Sequence, residues 1–234
     1  MATRNRGGGP GGQRQTKVRL KTAKQRSASS QRWLERQLND PYVAAAKRQG
    51  YRSRAAFKLA EIDAKHRLLK PGKRVLDLGA APGGWAQVAA DRVKSVEGSG
   101  QVVAIDILEM EPVAGVQFLK LDFMDETAPG RLAAMLRDGR ADIVLSDMAA
   151  QGTGHVGTDH LRIMGLAEAA AEFACEVLSP GGAFVCKVFQ GGTERDLLDR
   201  LKRAFATVKH LKPPASRQES AEMYVVALGF RGAA

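Results

Sequence analysis

Val75-Leu-Asp-Leu-Gly-Ala-Ala-Pro-Gly-Gly-Trp85 runs an apolar strand into an acidic, glycine-rich turn. In an open α/β sheet such a turn presents main chain to a nucleotide-like ligand. Gly79, Gly83 and Gly84 permit a tight turn and close backbone approach, and Pro82 removes a donor and stiffens the loop. A helix starting near Trp85 directs its N-terminal N–H groups toward the ligand. The glycines fall as G-x-x-x-G-G, so the G-x-G-x-x-G fingerprint that seats a pyrophosphate is absent. This disfavours a nicotinamide-dependent dehydrogenase. A pocket for S-adenosylmethionine, which carries no phosphate, fits the loop better.

Outward from this turn the chain alternates strand and helix patterns. Strands are expected at 74–78, 101–105, 116–121, 142–146, 183–189, 207–211 and 223–228, with helices at 85–96, 127–137, 160–178 and 193–205. That rhythm predicts an α/β fold, Rossmann-like, with a mostly parallel seven-stranded sheet covered by helices on both faces. No helix separates the last two strands, which should therefore pair as an antiparallel hairpin at the sheet edge. Ahead of the sheet stand a short helix around Trp33, Leu34 and Leu38, a second segment from Tyr42 to Gln49, and an amphipathic helix over 52–63. Phe57, Leu59 and Ile62 are its buried side and Ser53 its N-cap. Residues 1–30, rich in Arg, Lys, Gly, Ser and Gln, lack the apolar content to order themselves, so we read a basic arm over 1–30 and one catalytic domain over 31–234.

The formal net charge of +11 points to a polyanionic partner. A membrane surface is the rival, but no transmembrane run or lipidation motif supports it. Cys175 and Cys186 sit in apolar patterns and read as small buried hydrophobes of a reducing compartment, without a disulfide framework. The four histidines lack metal-ligand spacing, so no metal is expected. The absence of a hydrophobic signal segment argues for a cytoplasmic protein; the arginine-rich start resembles a transit peptide in composition, yet its glycine run at 7–12 opposes the required amphipathic helix. Without a long apolar surface stripe, a monomer is expected.

Ligands bind beyond the carboxyl ends of the strands, and acids stand there in succession: Asp77, Asp106, Asp122 and Asp147. Asp106 suits the vicinal hydroxyls of a ribose and Asp122 an adenine amino group, although each alone also suits a turn cap. Lys187 interrupts the apolar run Ala183-Phe-Val-Cys-Lys-Val-Phe189, where a sheet covered on both faces should tolerate no charge. Lys58, on an amphipathic helix, would pass unmarked on physical grounds alone.

Arg52-Ser-Arg-Ala-Ala-Phe-Lys-Leu59, Asp77-Leu-Gly-Ala-Ala-Pro-Gly-Gly-Trp85, Ser146-Asp-Met-Ala149, Pro180-Gly-Gly-Ala-Phe-Val-Cys-Lys-Val-Phe-Gln-Gly191 and Glu222-Met-Tyr-Val-Val226 together closely resemble the FtsJ/RrmJ family of heat-shock ribosomal RNA methyltransferases. The resemblance runs from about Ser30 to the C-terminus. It implies S-adenosylmethionine-dependent 2′-O-methylation of a uridine ribose in the A-loop of large-subunit ribosomal RNA. It assigns a catalytic tetrad to Lys58, Asp147, Lys187 and Glu222, and cofactor contacts to Gly83, Trp85, Asp106, Asp122 and Asp147. Ala149-Ala-Gln151 departs from the family's Ala-Pro-Asn. RNA contact is expected from 4–32, 47–54 and 209–217, with Tyr51 as a stacking platform. Transfer RNA, a messenger cap, or a non-catalytic clamp in ribosome assembly are the competing readings.

Overall fold

The computed structural model describes residues 28–150, 155–189 and 195–232. Most of the expected basic arm lies outside them. Helices α1 (Ala28–Leu38), α2 (Pro41–Gln49) and α3 (Ala55–His66) precede the sheet, which is built from β1 (Arg74–Leu78), β2 (Gln101–Asp106), β3 (Val116–Lys120), β4 (Ala141–Ser146), β5 (Leu178–Phe189), β6 (Phe205–Leu211) and β7 (Glu222–Phe230). Helices α4 (Gly84–Val93), α5 (Ala128–Met135), α6 (Val156–Val177) and α7 (Arg195–Ala204) connect them.

The strand order is β3-β2-β1-β4-β5-β7-β6. Pairs β1/β2, β1/β4, β2/β3 and β4/β5 are parallel, whereas β7 is antiparallel to both β5 and β6. The hairpin at the edge is present, and β7 is inserted one place in, so β6 forms the edge. The short β6–β7 connection must reverse direction, and β7, with a core of fully buried residues from Tyr224 to Ala227, takes the covered position.

Alternation along the strands divides the core. On one face Leu76, Leu78, Val144, Phe184 and Val225 pack beneath α5, α6 and α7. On the other Val75, Val185, Tyr224 and Val226 meet Leu59 and Ile62 of α3 and Trp85 of α4. Burying Leu59 or Ile62 contributes on the order of 2 kcal/mol each. Phe57 is only half-buried, against Tyr42 at 5.4 Å and Tyr51 at 5.6 Å.

Ser53 is not the cap of α3. Arg54 precedes the helix without a side-chain cap bond, and the buried Ser53 Oγ has no partner. A Cβ on Gly84 would lie 2.4 Å from that oxygen, so Ser53 is turned onto the glycine loop and not along its own helix. α2 is capped conventionally: Asp40 accepts from the Tyr42 N–H at 3.0 Å and Pro41 opens the helix. Cys186 is fully buried, which pushes its thiol up to about 12, and half-burial also raises Cys175. Among the described residues no helix is long and apolar enough to cross a membrane, and no group of His, Cys, Asp or Glu could hold a metal.

Candidate active site

The strand ends converge on a cleft of about 420 Å³ lined by Gly79, Ala81, Ile105, Asp106, Ile107, Leu108, Asp122, Phe123, Met124, Asp147, Met148, Ala149, Ala150 and Leu166. It opens outside the carboxyl ends of β1, β2 and β4, where the order reverses direction from β1, as expected of a doubly wound sheet. Apolar Ile107 and Met124 stand beside two carboxylates, a lining suited to a ligand with an aromatic base and a sugar. Both carboxylates also brace their own turns. Asp106 accepts from the Ala81 N–H and the Leu108 N–H, each at 2.8 Å, and Asp122 accepts from the Met124 N–H at 2.9 Å. The cap and ligand readings are therefore compatible, since a carboxylate offers about four acceptor positions.

Of the three glycines, one acts as expected and two do not. Gly79, at φ +79°, lines the cleft, and a Cβ there would stand 2.8 Å from the Met148 main chain. Gly83 and Gly84 are buried away from it: a Cβ on Gly83 would press on Met110, Val113 and Arg52, and one on Gly84 on Ser53. They admit other parts of the protein. Trp85 is 2% exposed, donates its indole N–H to the Ala55 carbonyl at 2.8 Å and packs 5.6 Å from the Tyr224 ring. Its side chain belongs to the core, leaving only main chain for a ligand.

Beside the cleft the four residues of the expected tetrad are brought together. Lys187 and Tyr224 are direct partners across β5 and β7, and Glu222 faces Phe189 in the same ladder. Lys187, 7% exposed, donates from Nζ to the Asp147 carbonyl at 2.6 Å and pairs with Asp147 Oδ1 at 3.3 Å. Lys58 Nζ lies 2.6 Å from Glu222 Oε1. The two pairs are linked by Tyr224, whose hydroxyl donates to Asp147 Oδ1 at 2.8 Å and accepts from Lys58 Nζ at 3.3 Å. Burial, then the negative charges of Asp147 and Glu222, hold the Tyr224 phenol well above its usual range, so it remains a donor. Ser216, on the β6–β7 loop, donates to Glu222 at 2.9 Å. Sequence reasoning missed Tyr224 and Ser216: a tyrosine in an apolar strand reads as core, and only the register shows its hydroxyl between the two ion pairs.

Asp77 is fully buried below this cluster, with no hydrogen-bond partner for either oxygen. Burial, with Asp147 and Asp106 nearby, pushes its carboxyl up to about 8. The folded state then keeps a proton that the unfolded chain releases near pH 4, so stability falls as pH rises from about 4 to about 8. Asp77→Asn escapes that loss. Thermal unfolding should show the variant more stable than the parent at pH 8.5, by on the order of a few kcal/mol, with the gain vanishing near pH 4. An equal difference at both pH values would show that Asp77 is ionised in the fold.

The expected RNA-contacting segments divide. Lys47, Arg48 and Lys209 are exposed. Arg52 and Arg54 are instead engaged within the protein, Arg54 pairing with Asp40 at 3.2 Å; Arg217 reaches Asp40 at 3.4 Å, and Lys212 donates to Gln218 and Ser220 carbonyls. Tyr51 packs edge-on against Phe57.

Residues 51–230 match the pattern described as FtsJ-like methyltransferase. The chain belongs to that family. Among curated relatives, the ribosomal RNA large subunit methyltransferase E of Azorhizobium caulinodans is 65% identical over 221 residues, covering 94% of this chain and 92% of its own. The protein of the same name from Bradyrhizobium diazoefficiens is 66% identical over 217 residues, covering 93% and 95%. A Plasmodium falciparum crystal structure, described as a ribosomal RNA methyltransferase, superposes with a TM-score of 0.69 at 31% identity, covering 78% of this chain and all of that one. This FtsJ-like methyltransferase thus carries the family's pattern across the whole of its described sheet.

Proposed function

We propose that this FtsJ-like methyltransferase uses S-adenosylmethionine to methylate the ribose 2′-oxygen of a uridine in the A-loop of large-subunit ribosomal RNA. One observation carries the reading: Asp147 both lines the cleft and holds the buried Lys187, so the cleft and the lysine meet at one residue. The cleft residues fit the donor, with Asp106 for the ribose hydroxyls, Asp122 for the adenine amino group and apolar Ile107 and Met124 against the base. When bound, S-adenosylmethionine supplies an electrophilic methyl on a sulfonium.

A ribose hydroxyl is a very weak acid, so the chain must align it and support its oxygen as charge develops. Lys187 donates one N–H to the Asp147 carbonyl and pairs with the Asp147 carboxylate, which leaves donor capacity on its Nζ for the 2′-hydroxyl. As an ammonium it stabilises the oxygen while water removes the proton; in its neutral form it takes the proton itself. Asp147 orients it, and Tyr224 ties that pair to Lys58 and Glu222. The exposed Lys47, Arg48 and Lys209, with the basic residues ahead of α1, serve the phosphate backbone. All four residues of the proposed tetrad come from one chain, so a monomer can form the site.

The test is transfer of radiolabelled methyl to isolated large subunits, free ribosomal RNA and transfer RNA in parallel, with nuclease mapping of the labelled nucleotide. We expect label on a 2′-O-methyluridine of the A-loop. Label confined to transfer RNA would overturn the target and retain the chemistry. No label on any substrate would favour an RNA clamp.

A further inference from the structure

Two loops frame the donor cleft, one following β1 through Ala80–Gly83 and one following β2 through Ile107–Pro112. On the cleft side they are joined by Asp106, which accepts from the Ala81 and Leu108 N–H groups. On the outer side they are joined by Arg52, in the turn between α2 and α3. Its Nη1 donates to the Pro82 carbonyl at 3.3 Å and to the Glu111 carbonyl, and its Nη2 donates to the Pro112 carbonyl at 2.6 Å. Between the two ties, Met110 is buried with Ala80 and Ala104. The Arg52 turn is itself fixed to α4: its N–H donates to Gln87 Oε1 at 2.9 Å, and Gln87 Nε2 donates to the Gly50 carbonyl at 3.0 Å. A Cβ on Gly83 would lie 3.2 Å from Arg52 Cδ and press on this arrangement.

We propose that Arg52 is a positioning residue for the methyl donor, clamping both cleft loops to the helical segment that carries Lys58. The inference rests on the reading of the cleft as the S-adenosylmethionine site. A guanidinium is suited to it because its planar fork sends donors from two separate nitrogens toward carbonyls of two loops, whereas an ammonium gathers all its donors on one nitrogen. The same residue would otherwise be assigned to RNA phosphate by its place in a basic stretch. Its acceptors here are main-chain oxygens whose spacing sets the cleft.

Calorimetric binding of S-adenosylhomocysteine in the absence of RNA tests the clamp independently of which nucleotide is methylated. Arg52→Ala should weaken that binding about tenfold or more, and should raise KM for S-adenosylmethionine far more than it lowers kcat. Arg52→Lys, which keeps the charge and the stem, should resemble the alanine variant. Millimolar guanidinium chloride should restore affinity to Arg52→Ala and leave the parent unchanged. Thermal melting of each variant separates loop loosening from global unfolding, and Arg52→Lys carries the test if Arg52→Ala does not fold. Unchanged affinity in both variants, full function in Arg52→Lys, or a defect confined to ribosomal RNA binding in a gel-shift assay would each overturn the proposal. Failure of the parent to bind S-adenosylhomocysteine would instead overturn the reading of the cleft itself.

Discussion

Lys187→Ala is expected to reduce methyl transfer by roughly a thousandfold or more while leaving S-adenosylmethionine affinity within about twofold, as single-turnover kinetics and calorimetry would show. Its Nζ is held by Asp147 beside the cleft, and Lys187 is not among the cleft-lining residues, so its contact with the donor is minor; in the proposed function it acts on the acceptor oxygen, chiefly in the transition state. Loss of the ammonium also leaves Asp147 with the Tyr224 hydroxyl as its remaining side-chain partner in the cluster. Near-parental kcat would remove Lys187 from the chemistry. A parallel collapse of donor affinity would show that it shapes the cleft.

Asp106→Ala carries the second large effect, here on binding. The carboxylate is the cleft-side tie between the two loops and, in the proposed function, the acceptor for the ribose hydroxyls, so its removal should weaken S-adenosylhomocysteine binding by about a hundredfold or more. The two contributions can be separated. If Asp106 accepts from the hydroxyls, the parent should prefer adenosine over 2′,3′-dideoxyadenosine and the variant should lose that preference. A preference of equal size in both proteins would assign Asp106 to loop support alone.

Alternation of short apolar runs with helical periodicity was sufficient to anticipate every strand of the sheet, because each depends on burial of a local segment. The edge hairpin followed from the lack of a helix between its strands. Lys187 was conspicuous for the same local reason, a charge in a strand covered on both faces. Lys58 was not, since lysine on a helix is normally solvated, and only its resemblance to a motif singled it out. In the fold it meets Glu222, more than 160 positions along the chain. The helix cap failed because Ser53 lies against Gly84, a neighbour that no local pattern reveals.

What the chain by itself determined was the order of its elements, the acids at the strand ends and the anomalous charge of Lys187, all of which are properties of short windows. Tertiary structure decided the rest. The β5/β7 register set Tyr224 opposite Lys187, and packing of the α2–α3 turn onto the glycine loop turned Arg52 inward and gave Gly83 and Gly84 a steric purpose. The physical reason is that hydrogen-bond partners and excluded volume are set by positions remote in sequence, and these become neighbours only when the sheet assembles and α3 closes over it.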